Sequence, residues 1–240
     1  MGIKAVELAA GDNHTCARLL DGRVKCWGSN GEGQLGLGDT NHRGDEPDEM
    51  GDALPFVDFG SGSPLAQLAR GGTHTCILRE SGEVKCWGDN EYGQLGLNDA
   101  MDRGGKASDM GANLQAAKLT PTSTPVQLIG GFKHACVRRL DGKVQCWGAN
   151  EFGQLGLGDL VNRGNKPDQM GYNLPTVPLP EGSPIVQLAA GDRFTCARRE
   201  DNRVQCWGQA DYGQLGLGDK VQRGDQAGEV EGLPFVDLGP

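Results

Sequence analysis

The chain has 240 residues, 40 of them glycine, and carries a formal net charge of −9 at pH 7. A glycine inside a helix costs about 1 kcal/mol relative to alanine, so this composition excludes a mainly helical protein. The negative charge disfavours nucleic acid and anionic membrane surfaces as partners. No apolar run approaches the roughly 20 residues that cross a bilayer, so we expect no membrane span.

The sequence repeats itself every sixty residues. The triplet Cys-Trp-Gly recurs with its cysteine at Cys26, Cys86, Cys146 and Cys206. The segment Gly-Gln-Leu-Gly-Leu recurs from Gly33, Gly93, Gly153 and Gly213. Four copies of one unit predict a single domain 1–240 with repeats 1–60, 61–120, 121–180 and 181–240.

Within the first unit the apolar residues alternate along short runs, which is typical of β-strands. The pattern predicts strands at 6–9, 14–19, 23–27 and 54–59, with a tight turn at Leu20-Asp21-Gly22 between the second and third. A glycine- and aspartate-rich insert of about twenty residues separates the last two strands. Four repeats of four short strands predict an all-β protein, a β-propeller with four blades of about four antiparallel strands each. They form a four-bladed ring or half of a larger ring.

The residues His-Thr-Cys, Asp-Gly, Trp-Gly and Gly-Gln-Leu-Gly-Leu-Gly-Asp of the first unit resemble the repeat of the regulator of chromosome condensation (RCC1) family. The resemblance extends over all four units and implies a propeller. The paired cysteines and the long insert are similar to RCC1-like repeats of bacterial surface or secreted proteins. Family propellers typically have seven blades of about fifty residues each. The units in this sequence are longer, at about sixty residues, and there are only four of them.

Eight cysteines form four pairs, each spanning the turn between the second and third strands. A three-residue turn places Cys16 opposite Cys26, at a separation suited to a disulfide, whereas a two-residue turn places Cys16 opposite Trp27. Reduced cysteines packed as small apolar residues, or a metal site with His14, are the alternatives. We favour disulfides. The candidates are Cys16, Cys26, Cys76, Cys86, Cys136, Cys146, Cys196 and Cys206.

Disulfides predict an oxidising location, extracellular or at the cell surface, although the sequence has no apolar segment of a signal peptide. The first unit opens with Met-Gly-Ile-Lys where the later units have a short Ser- and Pro-containing linker. We interpret the sequence as cut from a longer array.

Two more residue types recur at fixed positions, and we expect both to pack between blades. They are Trp27, Trp87, Trp147 and Trp207, and His14, His74 and His134, with Phe194 at the fourth histidine position. Stacking on a sugar is the alternative for the tryptophans, and catalysis is the alternative for the histidines. Because an aromatic ring replaces one histidine, packing is the better interpretation.

The inserts are the most variable part of the unit, and variable loops on a rigid scaffold are where binding normally occurs. The loop binding candidates are Asp45, Glu49, Lys106, Lys166 and Gln226. Asp39, Asp45 and Glu49 could also ligate calcium, but position 45 is not acidic in every unit, and an ion pair between Asp39 and Arg43 is the better interpretation. We expect no metal and no cofactor.

The sequence contains no catalytic triad, metal cluster or nucleotide-binding loop, so we expect no enzyme. The predicted function is a non-catalytic scaffold that presents its inserts to a protein or glycan. The family resemblance also implies two alternatives: a guanine-nucleotide exchange factor for a small GTPase, and a secreted inhibitor of an enzyme such as a β-lactamase. A homodimer that completes a larger ring is a further possible assembly.

Overall fold

The computed structural model describes residues 4–239 as four three-stranded antiparallel sheets, one for each sixty-residue unit. In each sheet the strands pair in chain order, so the middle strand lies between the other two. The strands are β1 (Ala5–Ala10), β2 (His14–Leu19), β3 (Val24–Gly28), β4 (Leu65–Arg70), β5 (His74–Arg79), β6 (Val84–Gly88), β7 (Pro125–Gly130), β8 (His134–Arg139), β9 (Val144–Gly148), β10 (Ile185–Ala190), β11 (Phe194–Arg199) and β12 (Val204–Gly208). We call the sheets blades 1 to 4. Short 3₁₀ helices lie at Ala107–Asp109 and Gly111–Asn113 in the second insert and at Gly171–Asn173 in the third.

The prediction of a fourth strand in each unit is wrong, because each sheet has three strands. In blade 1 the segment 54–59 makes one backbone hydrogen bond to the sheet, from Val57 to the Val24 carbonyl at 2.9 Å. Pro55 has no N–H to donate, and the third and fourth units also have proline at this position. The second unit has Gln115 there. In this unit an additional antiparallel β-bridge joins Lys85 to Ala116.

The turn after the middle strand decides the cysteine pairing. Leu19 and Arg23 close a three-residue turn through the Leu19 N–H and the Arg23 carbonyl, with Gly22 at φ +85°. This register places each middle-strand cysteine opposite a third-strand cysteine, with Cα atoms 4.0 to 4.1 Å apart. The disulfide prediction is confirmed: the bonds are Cys16–Cys26, Cys76–Cys86, Cys136–Cys146 and Cys196–Cys206.

The hydrophobic core lies between the blades. Each of the three main clusters of buried side chains combines residues of two successive units. The inner strands contact in the order β1, β4, β7 and β10. No hydrogen bond among the described residues joins blade 4 to blade 1. Blades 1 and 4 do not meet within residues 4–239, so the described blades do not form a closed four-bladed ring, and half of a larger ring stays a prediction.

A tryptophan fixes each seam between neighbouring blades. Trp87, Trp147 and Trp207 are fully buried, and each indole N–H donates to a glutamine carbonyl of the preceding blade. The distances to the carbonyls of Gln34, Gln94 and Gln154 are 3.0, 2.9 and 3.0 Å. Trp27, in blade 1, has no such acceptor within residues 4–239 and is half-buried.

The histidines lie in the same seams. His14 bonds the hydroxyl of Thr75 at 2.8 Å, and His134 bonds that of Thr195 at 3.0 Å. His74 is buried and faces the position of Ala135, so neither of its ring nitrogens has a partner among the described residues. Burial lowers the pKa of His74 to about 3, and those of His14 and His134 to about 4.

The unpartnered histidine gives a stability prediction. Ala135→Thr should raise the free energy of unfolding by about 1 kcal/mol, because the new hydroxyl can bond His74 as the hydroxyls of Thr75 and Thr195 bond their histidines. Urea denaturation measures the change. Ala135→Val is the matched control, since it has the same shape without the hydroxyl. Equal stabilisation by valine would mean that burial, and not the hydrogen bond, is responsible.

Candidate interaction surface

The inserts leave the blades at corresponding places, directly after the third strand of each sheet. In blade 1, Arg43 pairs its backbone with Gly28 at the end of β3, and its guanidinium bonds the Asp39 carboxylate at 2.7 Å. The same ion pair occurs in the other three inserts at 2.6 to 2.8 Å. The expected pair of Asp39 and Arg43 is therefore confirmed, and it braces the base of every insert.

A buried asparagine completes that base and was not found from the sequence. The Asn30 amide donates to the Asp39 carbonyl at 2.8 Å, and its side-chain oxygen accepts from the Leu35 N–H at 2.9 Å. Asn90 and Asn150 make the same contacts, whereas the fourth unit has Ala210 at this position. The sixty-residue spacing of these asparagines was the signal available in the sequence.

The binding candidates separate into two groups. Asp45, Lys106, Lys166 and Gln226 are exposed at the insert tips. Glu49 is half-buried, and its carboxylate accepts from the backbone N–H groups of Gly44 at 2.8 Å and Glu46 at 3.3 Å, which lowers its pKa. Gln169 and Glu229 cap their own inserts in the same way. Glu49 is thus engaged within its loop.

No group of three His, Cys, Asp or Glu side chains within residues 4–239 converges as a metal site would require. Of the three carboxylates considered for calcium, Asp39 and Glu49 have partners in their own insert, and Asp45 is exposed. No helix in the described part of the chain is long and apolar enough to cross a bilayer.

The first turns of the later inserts expose large apolar side chains. Met101 is 62% exposed, Val161 54% and Val221 56%, whereas the first unit has Asn41 at this position. Leu160 lies beside Val161 and is also exposed. These four side chains, which we call the insert apolar residues, lie on loops whose bases are fixed by the ion pairs described above and, in the second and third inserts, also by the asparagines. Apolar side chains that are exposed next to one another are typical of contact surfaces, and Leu160 and Val161 are such neighbours.

A cavity of about 550 Å³ lies between the first and second inserts. Met101, Lys106, Glu32 and Asp102 are among its lining residues. Partial desolvation raises the pKa of Glu32, and the nearby Asp102 raises it further. Desolvation also raises the pKa of Asp102, although the N–H of Asn90 opposes this shift. The cavity thus places two mutually repelling carboxylates beside an apolar side chain.

Aromatic side chains extend this surface across the seams. The Lys133 ammonium lies 4.4 Å from the centre of the Tyr92 ring, and the Arg193 guanidinium lies 4.9 Å from that of Phe152. Each cation belongs to the blade after the one that carries the ring. Tyr212 occupies the same position in blade 4 and is 89% exposed. We did not predict these pairs, because the cation and the ring lie about forty residues apart in the sequence.

Two family models, both described as "Regulator of chromosome condensation (RCC1) repeat", match the chain. One matches residues 5–34, 66–94 and 185–214, and the other matches 21–78 and 141–198. The chain belongs to the RCC1 repeat family. The expected resemblance, the all-β class and the propeller blades of this RCC1-repeat chain are confirmed.

The curated relatives of this RCC1-repeat chain include a receptor and a ubiquitin-protein ligase. The "Ultraviolet-B receptor UVR8" of Arabidopsis thaliana is 31% identical over 268 residues, which cover 92% of this chain and 57% of the receptor. The human "Probable E3 ubiquitin-protein ligase HERC4" is 32% identical over 222 residues, which cover 92% of this chain but 19% of the ligase. The chain therefore spans little more than half of the first relative and a fifth of the second.

Solved structures agree on the fold. Human WBSCR16 superposes with a TM-score of 0.72 at 19% identity, over 99% of this RCC1-repeat chain and 54% of that one. Yeast RCC1 (Prp20), in its structure with Kap60, gives 0.71 at 24% identity, over 100% and 51%. The four blades thus correspond to about half of each larger chain.

Proposed function

We propose that this RCC1-repeat chain is a non-catalytic binding scaffold whose insert surface holds a protein partner. The observation that carries the proposal is the set of exposed insert apolar residues on braced loops, of which Met101 lines the cavity that also holds Glu32 and Asp102. A matching partner surface has apolar side chains that contact the insert apolar residues and polar groups that face the charged side chains of Glu32, Asp102 and Lys106.

A protein partner fits the structure better than a glycan that stacks on the recurring tryptophans of blades 2 to 4. Trp87, Trp147 and Trp207 are fully buried and donate their indole N–H groups within the seams, so their rings are not available to stack on a sugar. Exchange-factor activity and inhibition of a secreted enzyme are further possibilities for a family scaffold, and no contact described above favours either.

The four disulfides suggest an oxidising environment. From this we infer that the chain works outside the cell or at its surface. The paired cysteines, which are buried or nearly so in the blades, support this location.

The insert surface is tested with two matched double variants. Met101→Ser with Val161→Ser should weaken partner binding at least 10-fold, because each removes an exposed apolar contact. Leu20→Ser with Leu140→Ser removes side chains that are 71% and 73% exposed at the tight turns, and it should leave binding unchanged. A photo-crosslinker at Lys106 identifies the partner in native surface extract, and calorimetry then measures its affinity for each variant. Weaker binding by the turn variant alone would contradict the proposal.

A further inference from the structure

The seam between blades 1 and 2 differs from the other two seams on its insert side. The cavity of about 550 Å³ lies there, with walls from both units. Three residues of this seam depart from the repeat: Glu32, Thr73 and Gly105. The next two seams have an aromatic residue at the first position, a basic residue at the second, and asparagine or aspartate at the third.

The change at Gly105 leaves space in the seam. The backbone nitrogens of Gly105, Asn165 and Asp225 would lie 2.2 to 2.6 Å from a Cβ on the equivalent glycine of the preceding blade, so the three residues occupy equivalent places. Asn165 and Asp225 each bury a side-chain oxygen there. A Cβ at position 105 would meet only the methyl group of Thr40, at 3.2 Å. Gly105 thus leaves open the place that the other two side chains fill, and it lines the cavity.

The other two changes remove a contact between a cation and an aromatic ring. In the next two seams a basic side chain, Lys133 or Arg193, lies over a ring of the preceding blade. In the first seam Glu32 takes the position of the ring and Thr73 that of the cation. The Thr73 hydroxyl donates to the Asp89 carboxylate at 2.9 Å. This seam therefore has a carboxylate in place of the ring and no cation of its own at the second position.

The two carboxylates of this cavity have no basic partner. Neither Glu32 nor Asp102 forms an ion pair within residues 4–239, and Asp102 accepts a hydrogen bond from the Asn90 N–H at 2.8 Å. Desolvation raises the pKa of both carboxyl groups, and the nearby carboxylates of Asp89 and Glu91 raise these pKa values further. The charges around the two groups are therefore mainly negative.

The basic side chains nearby do not neutralise these carboxylates. Arg103 lines the cavity, but its guanidinium bonds the Asp99 carboxylate at 2.8 Å. The Lys133 ammonium lies 3.2 Å from the Glu91 carboxylate. Lys106 also lines the cavity, but it is exposed, and its flexible stem allows the ammonium to stay in solvent.

We propose that this cavity binds a basic side chain of the partner protein, an arginine or a lysine. The cationic head lies beside Glu32 and Asp102, and the methylene stem lies against Met101, which is 62% exposed. The two equivalent seams hold a cation of the chain itself at this place. The inference rests on the proposed function for its partner, and it adds the chemistry of one contact.

N-acetyl-L-arginine amide is a probe that tests the cavity without the partner. We expect saturable binding with a Kd on the order of 1 mM, because the probe presents a single side chain. Titration followed by NMR should shift the backbone amide signals of residues 31, 32, 40 and 101–109. N-acetyl-L-citrulline amide is the matched probe, since an uncharged urea group of similar shape replaces the guanidinium. It should bind at least about 5-fold more weakly.

Two variants change the cavity in different ways. Gly105→Asn restores the side chain of the equivalent seam and should weaken binding of the arginine probe at least about 10-fold, because it fills the cavity. The backbone of Gly105 does not have a positive φ, so asparagine fits there as Asn165 does in the next seam. Glu32→Gln keeps the shape of the side chain and removes its charge, and it should weaken binding at least about 3-fold.

Gly51→Asn and Glu46→Gln are the matched controls. Both residues are exposed in the first insert and neither lines the cavity. A Cβ at Gly51 would meet nothing within 4 Å, and asparagine tolerates the φ of +66° there. Both controls should bind the probe as the unchanged chain does. Circular dichroism verifies that all four variants remain folded.

The outcomes separate this inference from the proposed function. No saturable binding of the arginine probe, equal binding of the citrulline probe, shifts away from the cavity, or undiminished binding by the Gly105→Asn variant would overturn the inference. None of these results affects the proposed function, because the double variant at Met101 and Val161 tests partner binding by itself. Probe binding at the cavity that both Gly105→Asn and Glu32→Gln weaken would support the inference.

Discussion

Reduction of the four disulfides is expected to abolish the cooperative unfolding transition of this protein near neutral pH. Each bond closes a loop across one turn, with a sequence separation of 10, and by loop entropy stabilises the folded state by about 2 to 3 kcal/mol. Four such losses are comparable to the entire stability of a typical domain, about 5 to 15 kcal/mol. Thermal unfolding with and without a reductant, followed by circular dichroism, measures the effect.

A double variant separates the loss of one bond from general effects of the reductant. Cys136→Ala with Cys146→Ala removes the bond of blade 3, where both cysteines are fully buried, and should lower the free energy of unfolding by about 2 to 3 kcal/mol. Thiol alkylation establishes that reduction was complete. If the fully reduced protein melts at the same temperature as the oxidised one, the disulfides do not stabilise the fold.

Acid is expected to unfold the protein because the three seam histidines are buried as neutral rings. Their pKa values in the folded state are about 3 to 4, below the usual value of 6.5. Below pH 6.5 the unfolded chain therefore binds protons that the folded chain does not bind. As the pH is lowered from about 6 to about 4, each histidine lowers the free energy of unfolding by about 1.4 kcal/mol per pH unit. The three together lower it by roughly 4 kcal/mol per pH unit. Above pH 7 these histidines should have no effect.

The fourth blade supplies the variant that isolates this effect. Phe194 lies against Gly191 as His74 lies against Gly71, so His74→Phe places a ring that does not titrate in a similar site. The free energy of unfolding of the variant should change with pH by about 1.4 kcal/mol per pH unit less than that of the unchanged protein. The carboxylates contribute equally to both proteins, so the difference reports His74 alone. Urea denaturation at several pH values gives the slopes. Identical slopes for the variant and the unchanged protein would show that His74 does not titrate differently on unfolding.

Much of the fold could be predicted because the same pattern of residues recurs in four units of the sequence. The first three strands of a unit followed from the alternation of apolar residues and from the turn at Asp21-Gly22. The fourth strand was wrong, because the apolar run around Val57 contributes one hydrogen bond and Pro55 contributes none.

The candidate surface was predicted less well. The tips at Lys106 and Lys166 are exposed as variable loops usually are. The cavity beside Glu32 and the cation–aromatic contact between Lys133 and Tyr92 join different units. Local spacing carries no information about which residues meet across a seam, so these contacts were not predicted.

The sequence by itself determined the number of units, the strands that make up most of each sheet and the partners of the cysteines once the turn length is known. These features depend on contacts within a unit, between residues close in the chain. The tertiary structure alone decided that blades 1 and 4 do not meet within residues 4–239 and that the ring nitrogens of His74 have no partner there, where Ala135 stands at the position of a threonine. Both depend on how one blade fits the next, and that fit is set by residues about sixty positions apart.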